Sequence, residues 1–140
     1  MKKVKHLAVV AVIFDNKGRV LLTQRNDPKS KHSHKKWQFP GGGIKFGEHP
    51  IDTVRRETQE ETGIEIEILS KHPNVHSHVF KKHRIHAIVL SYPAKYKSGK
   101  IDISRDPHTG KAKWYKIEKI DYSICLPITE DIIEDAKKHL

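Results

Sequence analysis

Apolar residues fall in short runs separated by polar, turn-forming segments. Leu7–Phe14 reads LAVVAVIF, Asp15–Gly18 reads DNKG, and the chain turns apolar again from Arg19. This pattern predicts two strands, His6–Asp15 and Arg19–Arg25, paired as a hairpin through Asn16–Gly18. Asn26–Lys36, NDPKSKHSHKK, predicts a mobile basic loop. Trp37–Phe39 predicts a short strand, stopped by Pro40 and Gly41–Gly43. A helix is expected from Pro50, suited to a first helical position, to Thr62, with Gly63 just past its end. Strands follow at Ile64–Ser70, Val75–Phe80, Ile85–Tyr92 and Ala112–Ile117, with Lys95–Gly110 as a polar loop. Ile132, Ile133 and Ala136 are spaced for a last helix over Thr129–His139, with Thr129 as its N-cap. Strands mixed with two helices predict an α/β fold, a sheet between helical layers, in one domain over residues 1–140.

The helix at Pro50–Thr62 carries the chemistry. At about 100° per residue, Ile51, Val54 and Thr58 share a core-facing arc about 60° wide. Glu57, Glu60 and Glu61 share an adjoining arc about 100° wide. Like charges three and four residues apart each cost about 0.2–0.5 kcal/mol. They also stand towards the helix end where the dipole disfavours anions. A hard divalent cation relieves such a cluster, and Mg²⁺ binds a few carboxylates while sharing its other positions with water and phosphate. Gly41–Gly43 lie just upstream, where bare backbone can approach a phosphate or offer a carbonyl to a metal.

The segment GGGIKFGEHPIDTVRRETQEETGIEI, Gly41–Ile66, resembles the Nudix box. Gly42, Glu48, Arg56, Glu57, Glu60, Glu61 and Gly63 stand at its fixed spacings, and Ile64 supplies the following apolar position. The departure is Thr58, where an aliphatic residue is expected and where the threonine methyl can still pack. WQFPGGG at Trp37–Gly43 and WYKIEKI at Trp114–Ile120 extend the likeness on either side. The resemblance implies a Nudix-type α/β/α sandwich, with a mixed β-sheet between helices, and a pyrophosphohydrolase. It implies Mg²⁺ or Mn²⁺ held by Glu57, Glu60 and Glu61 with the Gly42 carbonyl. Arg56 would orient a glutamate in the catalytic set, Glu60 would be the general base, and Glu48 would fix the loop–helix junction. Many relatives add a carboxylate 35–50 residues past the box. Asp102 and Asp106 are available, but both read as turn residues, Asp106-Pro107 especially.

Charge adds to this picture. The 140 residues carry 27 Lys and Arg against 17 Asp and Glu, a net +10, which suits phosphates, nucleic acid or a membrane surface. The cations are scattered along the chain, so a solvated basic surface remains open. Arg25 and Lys45 are candidate phosphate contacts, as are Lys35 and Lys36. Trp37 and Phe39 are candidates for stacking a base, with a core position as the alternative for each. Among eleven histidines, His76 and His78 share a strand face, but without a zinc motif they read as surface residues. The single Cys125 excludes an intrachain disulfide and a multi-thiolate zinc site. It fits a reducing, cytoplasmic setting, and no apolar run is long enough to span a bilayer. The expected substrate is a nucleoside diphosphate-linked compound or a (deoxy)nucleoside triphosphate. The alternatives are removal of pyrophosphate from an RNA 5′ end, and a non-catalytic nucleotide sensor, which the intact box disfavours. No membrane partner is expected, and a monomer and a homodimer both remain open.

Overall fold

The computed structural model describes residues 2–140. Strands β1 (Val4–Phe14), β2 (Val20–Arg25), β3 (Trp37–Gln38) and β4 (Gly41–Gly42) precede helix α1 (Pro50–Thr62). Strands β5 (Glu65–Ile68), β6 (Asn74–Phe80), β7 (Ile85–Ser98) and β8 (Thr109–Tyr115) follow, and α2 (Thr129–Lys137) closes the order. All eight strands belong to one sheet. Its main path runs β3–β2–β1–β7–β5, with β4 on β1, β6 on β7 and β8 on β2. β1 and β7 run parallel and the other pairs antiparallel, so the sheet is mixed.

The central place of β1 explains its unbroken apolar run. A strand covered on both faces has no polar side to alternate with. Val9, Ala11 and Ile13 enter the core beneath α1 with Val54, Ile64 and Ile66. Val12 and Phe14, on the other face, join Leu22, Phe39, Ile132 and Ile133 beneath α2. Each side chain so buried contributes about 1.5–3 kcal/mol, which fixes the register, since a one-residue slip would invert both faces. The expected α/β/α layering is therefore present.

Several expectations need correction. β1 and β2 pair only beside their turn, at Phe14↔Val20, and then separate. β1 instead runs along β7 from Val4↔Ile85 to Phe14↔Lys95. Gly41–Gly42 form a strand rather than a loose bend, paired with Val10 and Val9. A Cβ on Gly41 would lie 2.1 Å from the Val9 carbonyl oxygen, so only glycine allows this approach. β7 continues through Lys95–Ser98, which the polar composition had assigned to a loop. Residues 26–36 are tied down: the Lys35 amide donates to the Arg25 carbonyl at 2.8 Å, and Ser33 is buried. Thr129 does not cap α2; its hydroxyl donates to the Leu126 carbonyl at 2.6 Å, and Ile128 holds the cap position.

Helix α1 begins and ends where expected. The His49 imidazole accepts from the Ile51 amide at 3.1 Å, and Pro50 opens the helix. Gly63 adopts φ 74° and donates to the Gln59 carbonyl at 2.9 Å. Val54 and Thr58 are fully buried and Ile51 packs at the margin of that core, as the wheel requires. Among the described residues no helix is long and apolar enough to cross a membrane.

Candidate active site

A cleft of about 370 Å³ opens where β4, the glutamate flank of α1 and the β7–β8 loop meet. Gly41–Gly43, Glu57, Glu60 and Glu61 line one side, and Arg105, Asp106 and His108 the other, with Arg25 at the margin. The three carboxylates occupy different environments. Glu57 lies against the Gly42 backbone, where a Cβ would stand 2.9 Å from its carboxyl carbon. Glu61 is buried at 7% exposure, and the Gly41 amide donates to its Oε1 at 3.4 Å. Burial first, then the nearby Glu57 and Asp106 carboxyls, push the Glu61 pKa well above the usual carboxylate range. Glu60 is half exposed on the open side. Among the described residues no three His, Cys, Asp or Glu side chains close on one point as a ready-made metal cage.

Arg56 organises this flank. Its Nε and Nη2 donate to the two carboxylate oxygens of Glu48 at 2.9 and 3.0 Å. Its Nη1 donates to Glu57 at 2.8 Å and reaches Glu60 at 3.3 Å. Two parallel bonds to one carboxylate fix the guanidinium plane, so Arg56 can hold Glu57 in a set direction. The Arg56 guanidinium, with the Thr53 hydroxyl and the Lys45 amide, holds the Glu48 carboxyl down at about 2. Glu48 thus ties the loop before α1 to the helix at Thr53 and Arg56.

Beside the cleft lies a second, more apolar pocket of about 280 Å³. It shares Arg25, Gly41 and Gly42 with the cleft. Its walls include Phe39, His32, Phe80, Val89 and Ile132. The His32 and Phe80 rings meet edge to face with centroids 4.8 Å apart. Burial, reinforced by His83, His6 and Arg25, lowers the His32 pKa and favours its neutral ring. Arg25 pairs with Asp27 at 3.1 Å, while its buried Nε finds no partner among the described residues. A larger groove, about 450 Å³, lies at the β1–β2 turn beside Tyr96 and Trp114 and touches none of the three glutamates.

The predicted residues are therefore only partly gathered. Gly42, Glu57, Glu60, Glu61 and Arg25 meet at the cleft, and Arg56 braces it from behind. Lys45 does not reach it, being exposed on the loop before α1. Trp37 does not line the pocket either; its ring packs in the core, 5.3 Å from Tyr115. Phe39 is buried but does form pocket wall. Asp102 is the turn residue expected, accepting from the Ser104 amide at 2.9 Å. Asp106 also caps a turn, accepting from the His108 amide at 2.9 Å and the Thr109 hydroxyl at 2.8 Å, yet it lines the cleft as well. Reading it only as a turn residue was incomplete: the turn positions a carboxylate beside Glu61.

The NUDIX domain family matches residues 4–134. This chain belongs to that family. An RNA pyrophosphohydrolase of Bartonella bacilliformis is 46% identical over 38% of this chain and 33% of that protein. An uncharacterized Nudix hydrolase of Yersinia pestis is 33% identical over 45% of this chain and 35% of its own. These matches span about a third of each curated relative. Among solved structures, a NUDIX hydrolase from Nitrosomonas europaea superposes with a TM-score of 0.80 at 22% identity, covering 96% of this chain and 89% of that one. A MutT NUDIX hydrolase from Burkholderia pseudomallei gives 0.77 at 23% identity, covering 93% and 96%. The Nudix sandwich thus accounts for nearly the whole chain. Two features of its site had little sequence signal: the His32–Phe80 wall, assembled across 48 residues of chain, and the cations of the β7–β8 loop.

Proposed function

We propose that this chain is a Mg²⁺- or Mn²⁺-dependent pyrophosphohydrolase acting on a phosphoanhydride of a nucleotide-like substrate, in the cytoplasm. The observation that carries the reading is adjacency. A carboxylate-lined cleft and a mostly apolar pocket with an aromatic wall share Arg25, Gly41 and Gly42, so one molecule can place its phosphates in the first and its base in the second.

The donor set fits a hard divalent ion. Every side-chain donor from the box is an oxygen, the buried Glu61 is crowded by like charge, and Gly42 leaves no side chain between its backbone and Glu57. Glu57, Glu61 and the Gly42 carbonyl would hold the ion, with Glu60 joining from the open side. When bound, the ion neutralises phosphate charge and makes water a stronger acid. The chain's own residues then divide the remaining work. Arg25, Arg105 and His108 face the phosphates, Arg56 holds Glu57 in line, and the His32–Phe80 wall packs the base. Glu60, whose bonds from Arg56 are long, keeps lone pairs for the proton of the attacking water. A new bond forms from that water to phosphorus as the bridging P–O bond breaks.

Phosphate release from a panel of nucleoside triphosphates, dinucleoside polyphosphates and nucleotide sugars, with Mg²⁺ and with EDTA, tests this reading. Product masses after reaction in ¹⁸O-water locate the attacked phosphorus. At least one substrate should turn over with metal alone, and Glu60→Gln should slow it about 10²-fold or more. Binding of a nucleotide without turnover of any would make the chain a sensor and end the reading.

A further inference from the structure

The cations that look scattered in sequence are gathered by the fold. Val4 pairs with Ile85 and Lys5 with His86 across β1 and β7, and the Val4 amide donates to the Arg84 carbonyl at 3.0 Å. The His32 ring lies 6.4 Å from that of His6 and 5.9 Å from that of His83. Residues 2–6, 29–34 and 81–86 therefore meet at one rim of the pocket. Their sequences, KKVKH, KSKHSH and KKHRIH, hold three, two and three Lys or Arg and five His in all, with no Asp or Glu. All eight Lys and Arg are exposed. Such concentrated like charge is self-repelling and lowers stability unless a polyanion neutralises it.

The rim's position says what that polyanion is. β1 meets β4 at Val9 and Val10, beside the cleft, while His6 lies four strand residues further along, about 13 Å away. A nucleotide with its phosphates at the glutamates thus points its far, 3′ side at the rim. A strand continuing from that 3′ side would lay its next phosphates on Lys31, Lys82 and Arg84. Phe80, which also meets His78 edge to face at 4.7 Å, offers a stacking surface at the same edge. A phosphoanhydride at the 5′ end of a strand is a property of RNA begun from a nucleoside triphosphate. We propose that this rim is the landing surface for single-stranded RNA whose 5′-polyphosphate end occupies the cleft. The proposal rests on the pyrophosphohydrolase reading and narrows its substrate class.

Binding of 3′-labelled, 5′-triphosphorylated RNAs of one, three and six nucleotides, followed by fluorescence anisotropy in EDTA, tests it without turnover. Affinity should rise at least tenfold with length. With about three phosphates engaged, binding of the hexamer should fall about twentyfold between 50 and 200 mM salt. The triple variant Lys31→Ala, Lys82→Ala, Arg84→Ala should lose the length dependence, while its Mg²⁺-dependent turnover of a mononucleotide substrate stays at the wild-type level. Length-independent binding, a variant that holds the hexamer like wild type, or capture by phosphatidylglycerol vesicles in place of RNA would each overturn the proposal. Because the wild-type salt slope needs no variant, a misfolded mutant does not spare it. Because binding is read in EDTA, loss of turnover alone would fall on the pyrophosphohydrolase reading and leave the landing surface standing.

Discussion

Gly42 and Glu57 are packed so closely that a Cβ on the glycine would stand 2.9 Å from the glutamate carboxyl carbon and 3.0 and 3.1 Å from its two oxygens. Gly42 lies in a strand without a positive φ, so its role is room rather than backbone freedom. The atoms at risk form the far end of a flexible side chain, which can move aside without unfolding the protein. Gly42→Ala should therefore keep its melting temperature within about 4 °C of wild type, a change near 1 kcal/mol. It should lose at least about tenfold in kcat/KM, the scale expected when a metal-holding group is displaced. Thermal melts and metal-dependent turnover on the same sample separate the two effects. Unchanged turnover would show that Glu57 does not act from the observed position.

Glu61 carries a conflict between stability and function. It is buried beside Glu57 and Asp106, so at neutral pH its ionised form weighs against the fold. Glu61→Gln keeps the shape and can still accept from the Gly41 amide. In EDTA at pH 7.5 the variant should melt about 3 °C or more above wild type, equivalent to about 1 kcal/mol. Adding Mg²⁺ should raise the wild-type melting temperature more than the variant's, and turnover should be lost in the variant. A metal-free wild type at least as stable as Glu61→Gln would mean that the carboxylate is not under strain.

The local elements were legible because their signals are local. Pro50, Gly63 and the spacing of Val54 and Thr58 specify α1 nearly to the residue. The glutamate flank follows from the helical period alone. What failed was long-range pairing. Nothing in LAVVAVIF states that its main partner lies some 80 residues away, although an apolar run with no alternation is the signature of a strand covered on both faces. The same distance hid the meeting of His6, His32 and His83, and made a gathered charge look dispersed. Asp106 was misjudged for another reason. A turn residue and a cleft residue are compatible roles when the turn itself forms the wall of the site.

Glu48 should leave its mark on acid stability. Its carboxyl sits at about 2, below the ordinary 4.5, chiefly because Arg56 grips it. A group depressed on folding contributes stability in full above its unfolded value and loses it as the pH falls through the folded one. Wild type should therefore exceed Glu48→Gln in urea midpoint by a constant margin above about pH 5, and the margin should shrink steadily as the pH falls from 4.5 towards 2. Urea titrations at pH 6, 4 and 3 provide the comparison. A margin that ignores pH would assign the Glu48 contribution to shape and not to charge.

Thr58 is where the sequence departs from the Nudix pattern, and the departure has a physical cost. The residue is fully buried, and its hydroxyl finds no hydrogen-bond partner among the described residues. A buried, unsatisfied polar group costs about 1–3 kcal/mol. Valine has the same branched shape and a similar tolerance for the helix, so Thr58→Val exchanges only the hydroxyl for a methyl. The variant should melt about 3 °C higher for about 1 kcal/mol gained, with turnover unchanged, since Thr58 faces the core and not the cleft. A lower melting temperature would show that the hydroxyl is satisfied after all, by water or by a backbone carbonyl of α1. In that event threonine would be serving α1 and not merely tolerated in it.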